Sequence, residues 1–452
     1  MAQWLNEKMN QSQAVLRREL SLFDATLIGV GSMVGSGIFL DVPGMVASSV
    51  GGSLLALSVW VVGGVVSLVG ALCMSELASR MPQAGGQFVY LREGLGPMSA
   101  FLYGWASLLV IQTNAIAAVA LAFATYLTPF IPLSGYALKL VAIGAILFLT
   151  LANRRSLRAG AATQDAFALA KGLSLAGLVL ICLWPRGGWH AQLQPLGPQA
   201  WNASLAGAYG TALVGALWAY DGWICIAMVA GEVKFPRRNL PRALLLSTGI
   251  VVALYSLVNL GYFRILSFHT ALGTELVAAD AAHIAFPHWG RQLFAATVVV
   301  ATFGTASAFI LACPRIYYAM AREGLFFRFL GGVHDRFSTP AAAILLQGII
   351  AALLTLTGGY IRLFSNAMFA EFLFYGLSVW ALLVIRRREK RTGGTARGAE
   401  EFRMSFYPWL PIAFLVFSAW FVVNMLVQDF SDTWPVAALL AAGIPVYWVW
   451  KK

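Results

Sequence analysis

The chain alternates between long apolar stretches and short polar or basic ones. An apolar run of about 20 residues is long enough to cross the hydrocarbon core of a bilayer as a helix. The pattern therefore predicts an all-α integral membrane protein whose single transmembrane domain covers residues 1–452, with no connection long enough for a second, soluble domain. The twelve predicted spans lie at roughly residues 22–47, 53–79, 97–127, 134–152, 163–184, 203–231, 241–266, 292–320, 340–358, 363–385, 406–426 and 433–450.

The composition agrees with a membrane protein and excludes an ordinary soluble one. Hydrophobic residues make up 59% of the chain and charged residues 11%, whereas a soluble domain usually carries about 25% charged residues. Residues 1–20 are polar, and the first apolar run is too long for the hydrophobic region of a signal peptide. We therefore expect no cleavable signal.

The net charge of +12 is distributed as a membrane topology signal. When the N-terminus is placed in the cytoplasm, most of the 31 lysines and arginines fall in segments on the inner side of the membrane. This alternation follows the positive-inside rule and supports the twelve spans independently of hydropathy. We expect a multi-pass protein of the cytoplasmic (plasma) membrane with both termini cytoplasmic, in contact with the lipid bilayer and with no nucleic-acid partner.

The sequence lacks the patterns typical of an enzyme or a cofactor site. The five histidines are scattered, no span holds paired carboxylates, and the four cysteines lack metal or redox spacing. We expect no enzymatic activity, no cofactor and no bound metal, and we interpret the cysteines as small buried side chains.

The first predicted span contains an unusual concentration of glycine. Four glycines lie within residues 29–37, and each costs a helix interior about 1 kcal/mol relative to alanine. Broken backbone persists in hydrocarbon only where it faces protein or a polar cavity. A break at mid-membrane places N–H groups and carbonyls at one depth, which suits a small zwitterion. The alternative is close packing of neighbouring helices against small residues.

The sixth predicted span has a comparable interruption, with Asp221 and Gly222 near its centre. Five spans separate the two interruptions. This spacing predicts two inverted repeats of five helices, over residues 22–184 and 203–385, followed by two further helices over residues 406–450. The repeat rests on spacing alone, since the two halves show no residue-by-residue identity.

Three charged residues within predicted spans are functional candidates, because an unpaired charge in a membrane costs several kcal/mol. Lys171 lies in span five, and snorkelling to the inner surface is its alternative role. Asp221 in span six either accepts hydrogen bonds from its own broken helix or attracts a cationic ligand. Glu371 in span ten is a weaker candidate for side-chain recognition or proton handling, with a water-facing position as the alternative.

Five blocks of short motifs follow one another along the chain. They are Gly35 to Phe39; Ser75 to Leu77 with Met81 to Glu93; Ala219 to Trp223 with Gly231 to Lys234 and Asn239 to Ala243; Arg315 to Leu325; and Gly443 to Tyr447. In this order the blocks resemble the amino acid–polyamine–organocation superfamily. Within it they resemble the L-type amino acid transporter branch, including its bacterial exchangers, and the resemblance covers nearly the whole chain.

The resemblance implies a leucine-transporter-type fold and sodium-independent transport of amino acids by alternating access. We expect exchange of neutral L-amino acids. Proton-coupled uptake, exchange of cationic amino acids or polyamines, and a sensor that binds without transport are the alternatives. Animal members of the branch bond a heavy-chain glycoprotein through a cysteine in the third outer loop. Residues 128–139 contain no cysteine, so no disulfide-linked heavy chain is expected.

A substrate site follows from the two breaks. N–H groups at the start of a half-helix favour the carboxylate of an amino acid, and carbonyls at the end of the opposing half favour its ammonium. The branch similarly uses the matching positions, and its third span lines the side-chain pocket. The predicted substrate-binding residues are Met33, Val34, Gly35, Ser36, Gly37, Ile38, Gln112, Asn114, Trp218, Ala219, Tyr220 and Asp221.

Two of the candidates have more specific expected roles. Trp218 matches a position at which the branch often has a phenylalanine that closes over the substrate, so it is the predicted gate; a core-facing or lipid-facing tryptophan is the alternative. Tyr220 and Trp223 beside it are expected mainly to pack and to support the break. Lys171 matches the place where sodium-coupled relatives bind sodium. It is the predicted coupling residue, either by donating to carbonyls of span one or by exchanging a proton.

Overall fold

The structure is a computed structural model that describes residues 18–40, 42–83, 85–154, 157–183, 202–266, 268–272, 274–334, 339–391 and 402–450. Within these ranges the regular structure is helical, and an isolated bridge joins Leu20 to Val233. The α-helices are α1 Leu22–Met33, α2 Ser36–Phe39, α3 Val42–Val50, α4 Ser53–Arg80, α5 Gln87–Leu95, α6 Pro97–Ala106, α7 Gln112–Tyr126, α8 Gly135–Arg154, α9 Leu157–Leu183, α10 Ala203–Tyr220, α11 Cys225–Met228, α12 Pro236–Ile265, α13 Phe268–Leu272, α14 Val277–Ala285, α15 Gly290–Ala312, α16 Pro314–Arg322, α17 Ala341–Leu354, α18 Tyr360–Arg391, α19 Trp409–Gln428 and α20 Phe430–Trp450.

Eight stretches of the described chain are helical, long and apolar enough to cross a bilayer. They are Ser53–Arg80, Pro97–Tyr126, Gly135–Arg154, Pro236–Ile265, Gly290–Arg322, Tyr360–Arg391, Trp409–Gln428 and Phe430–Trp450. Shorter apolar helices occupy Leu22–Met33, Leu169–Cys182 and Ala341–Leu354. The all-α class is therefore confirmed for the described residues, whereas twelve crossings, the two inverted repeats and the single domain stay predictions.

The helix in the first span is interrupted at Val34 and Gly35. α1 ends at Met33, and α2 begins at Ser36. Val34 leaves the helical conformation with ψ 93°, and Gly35 has φ −146° and ψ −143°. A β-carbon on Gly35 would lie 3.0 Å from Thr305 Oγ1 on α15. A side chain at this position would therefore press on the neighbouring helix.

The helix in the sixth span is interrupted between Tyr220, which ends α10, and Cys225, which begins α11. Gly222 in this interruption has φ +110°, a conformation that residues with a β-carbon rarely adopt. A β-carbon there would also lie 2.8 Å from the carbonyl carbon and oxygen of Ser32. Glycine is thus needed both for the turn and for close approach, and the two interrupted helices touch at their breaks.

The same two helices are joined again nearer their other ends. The Leu20 N–H donates to the Glu232 carbonyl at 2.9 Å, and the Lys234 N–H donates to the Leu20 carbonyl at 2.8 Å. The Glu232 carboxylate accepts from Arg315 Nε at 2.6 Å, and both side chains of this ion pair are buried. The segments flanking α1 and α11 therefore form one connected unit.

An ion-pair network closes one end of the helical bundle, called here the basic end and defined by Arg80, Arg92 and Arg386. Glu76 of α4 is fully buried and accepts from Arg386 Nε at 2.7 Å, from Arg80, and from the backbone N–H of Met404 at 3.1 Å. These bonds connect α4, α18 and the chain that leads into α19. A buried carboxylate is stable here because several donors surround it.

Candidate functional site

A small cavity lies between the two interruptions. Its volume is about 10 Å³, which is room for about one water molecule. Its walls come from both interrupted helices and from α7 and α15: Ser32, Met33, Gly35, Ser36, Gly37, Val119, Trp218, Asp221, Thr305 and Phe309. The site is therefore closed to an amino acid in this structure, and an amino acid fits only when the walls separate.

The carbonyls released by the first break are met by hydroxyl groups from neighbouring helices. The Tyr255 hydroxyl on α12 donates to the Met33 carbonyl at 2.9 Å. The Thr305 hydroxyl on α15 lies 3.1 Å from the Val34 carbonyl. Because a carbonyl oxygen has two lone pairs, each of these groups retains the capacity to accept from a ligand.

The short helix α2 is held in the same way from its far end. The Tyr262 hydroxyl donates to the Ile38 carbonyl at 3.1 Å, and the Tyr126 hydroxyl donates to the Phe39 carbonyl. All four groups are buried. The interrupted backbone is thus fixed by tyrosines that belong to other helices.

Lys171 reaches the first break from α9. Its ammonium donates to the Gly31 carbonyl and to Thr305 Oγ1, each at 2.7 Å, and the residue is 1% exposed. The side chain therefore points into the bundle and does not snorkel to a surface. Lys171 thus donates to a carbonyl of α1, as one of its two expected roles requires. Its role in coupling stays a prediction.

The second break contributes an acid and an aromatic ring to the cavity. Asp221 Oδ1 accepts a hydrogen bond of 2.7 Å from the Tyr375 hydroxyl on α18. Trp218 is 6% exposed; its ring stacks on Phe364 with centroids 5.4 Å apart, and its Nε1 donates to the Tyr360 hydroxyl at 2.9 Å. Trp218 is thus a buried cavity wall anchored to the first turns of α18.

Half of the predicted binding residues line this cavity and half lie behind it. The lining residues are Met33, Gly35, Ser36, Gly37, Trp218 and Asp221. Those behind it are Val34, Ile38, Gln112, Asn114, Ala219 and Tyr220.

The residues behind the wall are mostly engaged in packing. Tyr220 lies against Trp60 and Tyr255, with ring centroids 6.0 and 5.2 Å away. Gln112 Oε1 accepts from the Cys313 thiol at 2.9 Å, and Asn114 is buried on the same helix. Direct contact with a substrate stays a prediction for each of these side chains.

The cavity also has walls that the sequence reasoning missed. They are Ser32, Val119, Thr305 and Phe309. A hydroxyl in an apolar span is a signal that points to Thr305, because a buried hydroxyl needs a partner. Val119 and Phe309 look like any apolar residue of a buried helix, so nothing in their local sequence marks them.

A much larger cavity, of about 1070 Å³, lies elsewhere, beside the first turn of α12. Its walls include Arg237, Arg238 and Arg242, whose side chains are exposed. Size alone would select this space, but it contains neither of the helix breaks. The small cavity remains the candidate site because the interrupted backbone and the buried polar groups converge there.

Comparison with known proteins assigns the chain to a family. The family model described as amino acid permease matches residues 20–450, which include both breaks and nearly all of the helical bundle. The chain belongs to this amino acid permease family. The predicted resemblance is thereby confirmed, and the protein is a membrane permease by family.

Several characterised permeases are similar over most of their length. The serine/threonine exchanger SteT of Bacillus subtilis is 31% identical over 442 residues, covering 97% of this chain and 98% of the relative. The human b(0,+)-type amino acid transporter 1 is 34% identical over 85% of this permease and 80% of its own length. The human Asc-type amino acid transporter 1 is 28% identical over 97% and 83%.

Proposed function

We propose that this permease exchanges neutral L-amino acids across the cytoplasmic membrane by sodium-independent alternating access. The observation that carries the proposal is the closed cavity between two interrupted helices in a chain of the amino acid permease family. An exchanger of serine and threonine that is 31% identical over nearly the whole chain supports both exchange and neutral substrates.

Opening of the cavity would expose complementary groups for the two charges of an amino acid. The backbone around Ser36 and Gly37, at the start of α2, is the site for the carboxylate. The carbonyls of Met33 and Val34, each with a lone pair to spare, are the site for the ammonium. Val119, Trp218 and Phe309 leave an apolar space for a neutral side chain.

Independence from sodium follows from the position of Lys171. Its ammonium occupies the space beside the Gly31 carbonyl and Thr305 Oγ1, both at 2.7 Å. A sodium ion at the same point would meet a like charge in a medium that screens it poorly. The protein thus carries its own cation at the first break, and replacing sodium by choline should leave transport unchanged.

Cationic amino acids are the second candidate class, and Asp221 favours them. Its carboxylate lines the cavity, where it is a counter-charge for an ammonium or guanidinium side chain. The hydrogen bond from Tyr375 satisfies one of its oxygens, which reduces the need for a cation. Neutral substrates are therefore ranked first.

The finer features of the fold belong to the same proposal. We infer twelve crossings, in two inverted repeats of five helices and two further helices, with the basic end and both termini in the cytoplasm. The positive charge of the basic end supports this orientation. The absence of cysteine from residues 128–139 supports a carrier without a disulfide-linked heavy chain.

The test is counterflow in liposomes that contain the purified protein. Vesicles preloaded with unlabelled serine should accumulate labelled serine, threonine or leucine faster than labelled lysine or arginine, in sodium or in choline medium. Vesicles without internal amino acid are the control, and exchange predicts little uptake by them. Equal uptake by empty vesicles would contradict exchange, a preference for lysine would select the second candidate, and dependence on sodium would contradict the role of Lys171.

A further inference from the structure

Besides Asp221, a second acid lies near the site; it is buried and is not among the residues that line the cavity. Glu371, in the central part of α18, is 1% exposed. Neither of its carboxylate oxygens has a hydrogen-bond partner among the residues that the structure describes. An ionised carboxylate without partners is among the most costly groups to bury, in protein or in membrane.

The groups around Glu371 do not supply a counter-charge. The titratable neighbours are Tyr103 on α6, Asp221 at the second break, Cys225 on α11, Cys313 before α16, Tyr317 on α16 and Tyr375 on α18 itself. Each of these is neutral or negative in its ordinary states. The buried cations of the described residues are bonded elsewhere, since Lys171 bonds to Gly31 and Thr305, and Arg315 pairs with Glu232.

The Tyr375 hydroxyl lies beside both acids. Tyr375 lies four residues after Glu371, on the same face of α18, and donates to Asp221 Oδ1 at 2.7 Å. Its oxygen keeps lone pairs that accept from a protonated Glu371. A neutral Glu371 therefore extends a donor chain that ends on the Asp221 carboxylate, whereas an ionised Glu371 adds a second negative charge beside the first.

We propose that Glu371 is a proton-binding site that must carry its proton for the cavity to close, so that protons regulate amino acid exchange. When the cavity walls separate, the Glu371 carboxyl releases its proton to water and is left as a carboxylate. Before the walls meet again the carboxylate takes a proton back from water. The proton is favoured over a metal cation because Glu371 does not line the cavity, whose space is that of about one water.

The inference rests on the proposed function, and it predicts how exchange varies with pH. Above the pH at which Glu371 loses its proton in the open state, the wild-type rate should fall by up to about tenfold per pH unit, the slope for one proton. E371Q keeps the shape and the donor group of the neutral acid, so its counterflow should persist and lose this dependence. E323Q is the matched control, because Glu323 is an exposed partner of Arg92 at the basic end, and it should follow the wild-type profile.

A second measurement needs no variant. Dicyclohexylcarbodiimide, a hydrophobic reagent, adds to protonated carboxyls: the acid proton passes to a carbodiimide nitrogen and the carboxyl oxygen bonds to the central carbon. Mass spectrometry of the wild-type protein should find this adduct on Glu371 at low pH, increasing during exchange and falling as pH rises.

The outcomes separate the two proposals. A folded E371Q with the wild-type pH profile, a folded but inactive E371Q, or no adduct on Glu371 at any pH would each overturn the proton site. If wild-type protein shows no counterflow at any pH, the proposed exchange fails, while the pH dependence of the adduct still decides whether Glu371 binds a proton.

Discussion

Two buried ionisable side chains lie near the closed cavity, one at each helix break, and they differ in their hydrogen bonds. Lys171, beside the first break, has two hydrogen-bond acceptors at 2.7 Å. Glu371, beyond the second break, has no partner for either oxygen among the described residues. At the first break the Lys171 ammonium donates to interrupted backbone. Near the second break the Glu371 carboxyl has no hydrogen bond in the closed state.

The two breaks therefore differ in how completely their polar groups are hydrogen-bonded. At the first break the ammonium, a threonine and several tyrosines each bond to a backbone carbonyl, so the backbone there is stable in the closed state. At the second break one tyrosine hydroxyl serves Asp221 and the neighbouring acid stays unpaired. We infer that the first break is the fixed half of the site and that the second responds to solutes and protons.

Removal of the Lys171 ammonium is expected to have the largest effect. Lys171→Ala leaves the Gly31 carbonyl and Thr305 without their shared donor and opens a gap at the first break. Loss of a buried partner costs about 1–3 kcal/mol, so we expect a lower unfolding temperature in detergent together with loss of most counterflow.

Lys139→Ala is the matched control for this change, because Lys139 is only half-buried and bonds only to the Leu356 carbonyl among the described contacts. It should change neither measurement by much. Wild-type kinetics and stability in Lys171→Ala would show that the first break does not depend on the ammonium, and the contrast between the two regions would disappear.

The next largest effect is expected at Trp218, the aromatic wall of the second break. Trp218→Ala removes a ring stacked on Phe364 and the donor to Tyr360, and aromatic side chains of this kind bury on the order of 200 Å². The closed state loses this contact and the open states do not. We expect a large loss of turnover with a smaller change in equilibrium binding.

Trp218→Phe separates the ring from its hydrogen bond. It keeps a ring against Phe364 and loses the donor to Tyr360, so it should recover much of the exchange rate. Tyr360→Phe removes the same hydrogen bond from the other side and should resemble Trp218→Phe. If the alanine and phenylalanine variants at Trp218 exchange equally well, the ring is not a gate.

Sequence reasoning identified the two breaks because glycine and charge are visible signals in an apolar chain. Gly222 illustrates how far such a signal reaches: its positive φ and its approach to Ser32 are both properties that only glycine tolerates well. Gly37 is one of the predicted substrate-binding residues. In the structure a β-carbon there would lie 2.6 Å from the Ala219 α-carbon, so this glycine also lets the two broken helices meet.

The partners of the breaks were beyond the reach of the sequence. Tyr255 and Tyr262 bond to backbone more than two hundred residues away, and their positions in α12 carry no local mark of that role. Gln112 and Asn114 were predicted from polarity, yet Val119 is the residue of α7 that reaches the cavity. The neighbouring helices decide which face of a buried helix points inward. A helix that is apolar on all sides has no sequence pattern that marks this face.

The smallest expected effects give the most direct test of the contrast, because they remove one hydroxyl from each region. Thr305→Val takes away an acceptor of Lys171 and leaves the Gly31 carbonyl in place, while Tyr375→Phe takes away the donor to Asp221. Because the Gly31 carbonyl still accepts from Lys171 at 2.7 Å, the loss should lie at the lower end of the roughly 1.5–3 kcal/mol that a hydrogen bond to a charged group contributes. Thr305→Val should therefore lower thermal stability and leave the pH profile of exchange unchanged, since the fixed region loses a structural bond.

Tyr375→Phe should change stability less, because Asp221 is partly exposed. Its pH profile should shift, because the hydroxyl that lies beside both acids is gone. Counterflow measured over a range of pH, with thermal unfolding of the same preparations, separates the two results. The same response from both variants would mean that the two breaks act as one unit.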